Sequence, residues 1–379
     1  HADTRAVRGV EVATGSLGAV YVSNGLWQTS GEVKLGEDGQ ALVVLDGGSL
    51  YANTSSVNAH IYIPFAQGTS RVMLTSADSK LTQIGNSSAL QISNGTNGYG
   101  ELIVSNGMLE VTEIDIADGR YTAGAMYLYN GTCVVSHTGG SSINVGSDNY
   151  STGLLVVADS RALIVATNGT GLVFAGSGAT RSNSVGNMDF SAGTVLARGF
   201  RMAYSRDSRS EVVMGDATLV NRQDTGITVA NGINSDAQLV LTHANSLVDC
   251  TNTAVGNPVI LGASTGSYGR LLMSNGTMRL NRLVVGNTGV GLMTMENQAQ
   301  VAVKENIYIP NSATGLGTGT GTLVLASSLA SLTATVGTTV VGANCAGAKA
   351  GSGTVIISNG TLNIRLLNVG SACDGLVTV

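Results

Sequence analysis

One phrase recurs along this chain and constrains its fold more than any other feature: a short alternating strand, then Ser-Asn-Gly, then a second strand. Full copies are Val22-Ser23-Asn24-Gly25-Leu26, Val104-Ser105-Asn106-Gly107-Met108-Leu109, Met273-Ser274-Asn275-Gly276-Thr277-Met278 and Ile357-Ser358-Asn359-Gly360-Thr361-Leu362. Degenerate copies are Ile92-Ser93-Asn94-Gly95-Thr96, Tyr129-Asn130-Gly131-Thr132 and Phe190-Ser191-Ala192-Gly193-Thr194-Val195. Asn and Gly accept positive φ at little cost, so Asn24-Gly25, Asn106-Gly107, Asn275-Gly276 and Asn359-Gly360 read as tight repeat corners. An Asn-Gly turn also signals an antiparallel hairpin, which is the main structural alternative. The spacing favours the other reading. The phrase returns about every 22–30 residues, near the length of one solenoid coil, whereas hairpin-built barrels turn about every 8–12 residues.

A longer period runs beneath this one. Asn24 and Asn275 are 251 positions apart, and at that offset Gly68-Thr69-Ser70-Arg71-Val72-Met73-Leu74 meets Gly319-Thr320-Gly321-Thr322-Leu323-Val324-Leu325. Leu81-Thr82 then meets Leu332-Thr333, and after small shifts Ile61-Tyr62-Ile63-Pro64 meets Ile307-Tyr308-Ile309-Pro310 and Gly100 through Ile116 meets Gly353 through Val369. Matching apolar positions predict the core: Val33 and Leu35 with Leu283 and Val285, Ile114 and Ile116 with Leu367 and Val369. They alternate with polar positions, as inward and outward strand faces must.

The expected fold is therefore all-β, a right-handed parallel β-helix (β-solenoid) of roughly 14 coils forming a single domain over residues 1–379. Residues 1–17 would be an incomplete first coil, 18–130 and 269–379 the duplicated segments, and 131–268 the intervening coils. Coil openings are expected near Gly100, Gly124, Gly153, Gly193 and Ser210, among others. Composition agrees. There are 52 glycines but only 3 prolines, 43% hydrophobic residues and 11% charged, a mixture suited to strands and sharp turns. The closing Gly375-Leu376-Val377-Thr378-Val379 matches Gly124-Ala125-Met126-Tyr127-Leu128, so the last coil reads as unfinished and no end cap is recognisable.

Alternating strands punctuated by Ser-Asn-Gly-Thr-Leu and Val-Gly-Asn resemble autotransporter-associated β-strand repeats and similar secreted repeat proteins of environmental bacteria. The resemblance covers nearly the whole chain. It implies a parallel β-helix passenger exported to the cell surface as adhesin, sheath or fibre. The C-terminal membrane barrel of that class has no counterpart in this sequence.

Candidate chemistry is sparse. β-Helices that process polysaccharides use clustered carboxylates beside a groove, and the best acidic cluster is Glu113, Asp115 and Asp118. Glu113 and Asp115 alternate with Ile114 and Ile116 and are expected on a solvated strand face; their duplicates are Leu366 and Asn368. No catalytic residue, cofactor or metal site is expected: His1, His60, His137 and His243 are scattered. The one basic patch is Arg198, Arg201, Arg206 and Arg209 with Phe200 and Tyr204 interleaved. It suits an acidic glycan or a neighbouring subunit, or equally a charged edge that discourages wrong strand pairing. Cys345 and Cys373 lie about one coil apart, the distance a disulfide between neighbouring coils needs; Cys133 and Cys250 are too far apart to meet. Gly315 through Gly321 reads as a turn, lacking the Gly-Lys-Ser/Thr ending of a phosphate loop. Of the eight Asn-x-Ser/Thr sequons (Asn53, Asn86, Asn94, Asn130, Asn149, Asn168, Asn275 and Asn359), several coincide with the repeat corner. Trp27 and the 11 tyrosines look too dispersed for a carbohydrate platform.

These features point to a secreted, extracellular structural protein that assembles with other copies of itself, end to end or laterally, into a filament, sheath or surface layer. An adhesin or glycan-binding passenger is the alternative, and a polysaccharide lyase or hydrolase stands behind both. With 19 Lys+Arg and a net charge of −5, nothing favours nucleic acid, and no apolar run approaches the roughly 18 residues a membrane span needs.

Overall fold

The computed structural model describes residues 16–53, 60–85, 88–137, 141–167, 172–176, 182–222, 226–251, 258–311, 319–343, 351–370 and 373–379. Among these there are strands and turns but no helix. The chain divides into two compact units, His1–Leu196 and Ala197–Val379, and each is built on the same plan.

In the N-terminal unit the strands form three parallel ladders that the chain visits in turn. The first comprises Leu17–Ser23, Gln40–Asp46, Thr69–Leu74, Tyr99–Val104, Ala123–Leu128, Thr152–Val157 and the opening half of Val185–Ala197. Leu26–Thr29, Ser49–Asn53, Lys80–Ile84, Gly107–Val111, Gly131–Val135 and Leu163–Ala166 make the second. The third holds Val33–Lys34, Ile61–Ile63, Leu90–Ile92, Ile114–Ile116, Ser141–Val145 and Leu172–Ala175. The C-terminal unit repeats the order, its first ladder running through Asp236–Leu241, Tyr268–Met273, Val290–Met295, Thr320–Leu325, Ser352–Ile357 and Asp374–Thr378. Parallel strands visited cyclically are consistent with a β-solenoid and leave no place for the hairpin alternative. An isolated Ser23–Gly47 bridge is antiparallel. The shortest return to a ladder takes 22 residues, Tyr268 to Val290. The longest takes 33, Thr152 to Val185.

The Ser-Asn-Gly phrase turns the chain from the first ladder to the second. Ser274 Oγ donates to Leu241 O (3.3 Å), ending the strand beneath, and Asn275 Nδ2 donates to Thr242 O (3.1 Å). Gly276 then takes φ +89. Asn106 Nδ2 reaches Thr75 O (3.3 Å), and Asn130 Nδ2 reaches Asn106 Oδ1 (2.5 Å). Two sequence expectations need correction. Ile92-Ser93-Asn94-Gly95 lies instead at the corner from the third ladder to the first. The opening placed at Gly193 is a first-to-second corner; the residue opposite Gly153 is Gly186. Both errors come from reading glycine as one signal when two different corners demand it.

The duplicated segments fall on equivalent places. Thr69 and Thr320 open first-ladder strands, Leu81 and Leu332 point inward on the second, and Ile116 and Val369 close the third. Val33, Leu35, Ile114, Ile116, Leu283 and Val285 are fully buried. Leu367 and Val369 share that register but are exposed, because no described strand lies over them on one side.

The second position of every first-ladder strand is small: Gly18, Ala41, Ser70, Gly100, Gly124, Gly153 and Gly186 in one unit. In the other it is Ser210, Ala237, Gly269, Gly291, Gly321, Gly353 and Gly375. The third ladder ends on a left-handed residue, among them Ser93, Ala117, Gly146, Gly262 and Gly286, and the returning strand passes directly over that turn. A Cβ on Gly124 would lie 2.7 Å from Ile92 O and 2.9 Å from Ala117 N. This is backbone against backbone, which cannot rotate aside.

Gly124→Val is therefore expected to lower stability by about 3 kcal/mol or more in urea unfolding. Gly31→Ala, where a Cβ meets nothing within 4 Å, is expected to change it by less than about 0.5 kcal/mol.

Candidate functional site

Each third-ladder strand of the N-terminal unit places apolar residues inward at either side of one outward residue, as in Ile61-Tyr62-Ile63, Leu90-Gln91-Ile92 and Ile114-Asp115-Ile116. Register stacks those middle residues into a column: Lys34, Tyr62, Gln91, Asp115, Asn144 and Phe174. The column is largely shielded. Tyr62 is 9% exposed, Asp115 7% and Asn144 6%. The solvated strand face expected for Asp115 is thus corrected. Its carboxyl is buried between two amide side chains on neighbouring strands.

The buried group is tied on several sides. Asn144 Nδ2 donates to Asp115 Oδ1 (2.7 Å) and to Glu113 Oε1 (3.2 Å). Gln91 Nε2 donates to Asp118 Oδ2 (2.6 Å), Ser147 Oγ to Asp118 Oδ1 (2.6 Å), and Asn94 Nδ2 to Gln91 Oε1 (2.8 Å). The three acids named from sequence are therefore brought together, with Gln91, Asn94, Asn144 and Ser147 between them. Two of those four could have been found in the sequence. Gln91 and Asn144 occupy the same middle position of an apolar-x-apolar triplet as Asp115.

Electrostatics follow from the burial. Desolvation, reinforced by Asp118 and Glu113, raises the Asp115 pKa well above its ordinary 3.8, while hydrogen bonds from Asn144 and Gln91 oppose the shift. His137 Nδ1 lies 3.4 Å from Glu113 Oε2 without hydrogen-bond geometry, and desolvation lowers its pKa. It is a neutral ring beside a carboxylate more than half of an ion pair. At the other end of the column, desolvation lowers the His60 pKa against the opposing pull of Glu32. Tyr62 is pushed up to about 12 by desolvation and by Glu32. Tyr62 stacks on His60 (5.4 Å) and meets Phe65 edge-on (4.8 Å), and Lys34 Nζ lies 3.9 Å from the Phe65 ring centre. A raised carboxyl beside a carboxylate is the raw material of acid–base chemistry. Here Asp115 Oδ1, Glu113 Oε1 and both Asp118 oxygens already accept hydrogen bonds from amides and a hydroxyl, so the arrangement fastens adjacent strands together.

The arginine patch is spread along one turn of the chain in the C-terminal unit. Arg201 points outward on the third ladder opposite Thr228 and lies 5.2 Å from the Tyr204 ring. Arg198 precedes that ladder, Tyr204 and Arg206 follow it, and Arg209 opens the first ladder opposite Asp236. Phe200 does not belong to a surface patch at all. It is fully buried, because strand alternation sends Phe200 and Met202 inward while Arg201 points out.

Cys133 and Cys250 are buried free thiols, both pushed up to about 12 by burial. Cys373 is disulfide-bonded; Cys345, its expected partner, lies outside the described residues, as do Asn86, Asn168 and Gly315. Among the described residues no group of three or more His, Cys, Asp or Glu is placed to hold a metal ion, and no helix is long and apolar enough to cross a membrane. The tyrosines are less dispersed than their sequence positions suggest, and five of them gather on and beside three successive first-ladder strands of the N-terminal unit. No protein-family model, no curated protein and no solved structure matches this chain.

A carboxyl whose pKa is raised on folding contributes stability that is complete below its unfolded value and is lost as pH rises through the folded one. Asp115 should therefore make the protein less stable at pH 7.5 than in mild acid, each tenfold gain in proton affinity being worth about 1.4 kcal/mol. Asp115→Asn keeps an acceptor for Asn144 and carries no charge. It is expected to raise the melting temperature at pH 7.5 and to flatten its dependence on pH above about 4. A variant as pH-sensitive as the parent would remove Asp115 as the source.

Proposed function

We propose that this protein is an extracellular structural scaffold, a right-handed parallel β-solenoid of roughly 14 coils whose copies pack side by side into a filament, sheath or surface layer. Right-handedness is the hand that crossovers between parallel strands of one sheet overwhelmingly take.

One observation carries the reading. On the outward side of the first ladder in the C-terminal unit, register aligns Val213, Val240, Leu272, Thr294, Val324 and Ile356 into one column. Each is half-buried rather than covered. Five steps of about 4.8 Å make this an apolar stripe roughly 24 Å long. The charges beside it are already engaged: Arg270 Nη2 pairs with Asp236 Oδ1 at 2.7 Å, and Gln238 Nε2 donates to Glu211 Oε1. A sheet face with a ridge that is apolar but for Thr294 supports face-to-face packing against a second copy, as sheets pack in layered assemblies. The interior supports the scaffold role as well, being filled by aliphatic side chains with its two described free thiols held unreactive by burial.

Sedimentation and negative-stain imaging of the secreted chain test the proposal. Assemblies are expected for the parent, and the double variant Val240→Lys/Leu272→Lys is expected to sediment as monomer while keeping its strand spectrum. A parent that stays monomeric at every concentration, or a double variant that assembles as well as the parent, would overturn it.

A further inference from the structure

Besides Tyr21 on its opening strand, the first ladder of the N-terminal unit gathers five tyrosines on and beside three successive strands. Tyr99 and Tyr127 lie within ladder strands. Tyr129 follows its strand by one residue, and Tyr121 and Tyr150 each precede theirs by two. Tyr99, Tyr121, Tyr129 and Tyr150 are 38%, 49%, 42% and 46% exposed. The rings form two pairs. Tyr127 and Tyr129 are 6.2 Å apart and 6° from parallel, and Tyr121 and Tyr150 are 5.1 Å apart at 18°. Between Tyr121 and Tyr129 runs the strand Ala123–Leu128, about 17 Å of extended chain.

The backbone gives an independent reason to look outward. The residue two places before a first-ladder strand is left-handed at Asn97, Tyr121, Tyr150 and Asn183 (φ +60, +60, +57 and +58). In the other unit the same place holds Asp207, Asn234 and Gly266, all left-handed. Asn, Asp and Gly adopt this conformation readily; a bulky aromatic residue does not. The turn itself would be served better by asparagine at 121 and 150, so the fold supplies no reason for two tyrosines there.

The charges nearest the rings are engaged. Arg71 Nε and Nη2 lie 2.6 and 2.5 Å from Glu101 Oε2, and the other oxygen accepts the Tyr99 hydroxyl at 2.6 Å. The Arg120 guanidinium lies 4.9 and 5.8 Å from the Tyr121 and Tyr150 ring centres, and its Nη2 donates to the Tyr121 hydroxyl (3.2 Å). What remains is rigid and amphipathic: ring faces for apolar C–H surfaces, and hydroxyls at their rims for polar partners.

We propose that this face binds an uncharged polysaccharide, laid along the strand direction with sugar rings on the Tyr121–Tyr150 and Tyr127–Tyr129 pairs. The site lies on the N-terminal unit and is independent of the column invoked for lateral packing, so assembly and glycan binding can fail separately.

Affinity electrophoresis in native gels containing hydroxyethylcellulose or galactomannan, with polygalacturonate as the charged comparator, tests it. The parent is expected to be retarded by a neutral polymer and to remain so in about 0.5 M salt, where surface charge is screened. Tyr121→Asn/Tyr150→Asn is expected to weaken retardation at least tenfold with a melting temperature equal to or above the parent's. Tyr121→Phe/Tyr150→Phe, which keeps the rings, should retain most of it. The proposal is overturned by a parent that neither neutral polymer retards, by a double Asn variant that binds like the parent, or by retardation confined to polygalacturonate and abolished by salt. A double Asn variant that melts lower than the parent would also overturn it, since the tyrosines would then be structural.

Discussion

The close passage of the chain over its own turn governs this structure. Where the third ladder ends, a left-handed residue swings the backbone outward, and the next first-ladder strand begins directly across it. At Gly124 a single added carbon would sit 2.7 Å from Ile92 O. Where the place is Gly the obstacle is main chain that no rotamer relieves; elsewhere it is Ala or Ser, the smallest residues that carry a Cβ. Given that contact, the remaining features follow. The strand starts in a fixed register, its alternate residues point inward, and each strand stacks in parallel on its predecessor.

Length variation is thereby confined to the corners. Successive returns take as few as 22 residues and as many as 33, yet the ladder positions stay aligned. The duplication shows the same tolerance. Its offset is 251 at Asn24 and shifts elsewhere, but Thr69 and Thr320, or Ile116 and Val369, occupy equivalent ladder positions. The interior is thus tightly specified, and chemistry is left to the outward residues and the turns.

Those outward residues behave differently on different ladders. On the third ladder of the N-terminal unit they are buried and polar, so they must find partners across strands. Asp115 lies between Gln91 and Asn144, and Asp118 is held by Gln91 and Ser147. A buried carboxyl in such a network trades stability for pH sensitivity. Most first-ladder outward residues are half-covered and uncharged, which suits them to packing against copies or to holding a neutral chain.

The sequence alone carried the strand-corner-strand repeat, the parallel stacking and most of the core. Asn-Gly, small residues and period-two alternation are local requirements that the chain must write into every coil. It also named Glu113, Asp115 and Asp118 as a group, since they are close along the chain. It misjudged whatever depends on what lies across the ladder. Asp115 was placed in solvent, Phe200 on the surface and the tyrosines apart, because residues 22 to 33 positions away become neighbours only once the strands are in register. Register decides which outward residues share a column, and corner geometry decides which face they share. Both are set by contacts between successive strands, which periodicity predicts to exist but does not pair residue by residue.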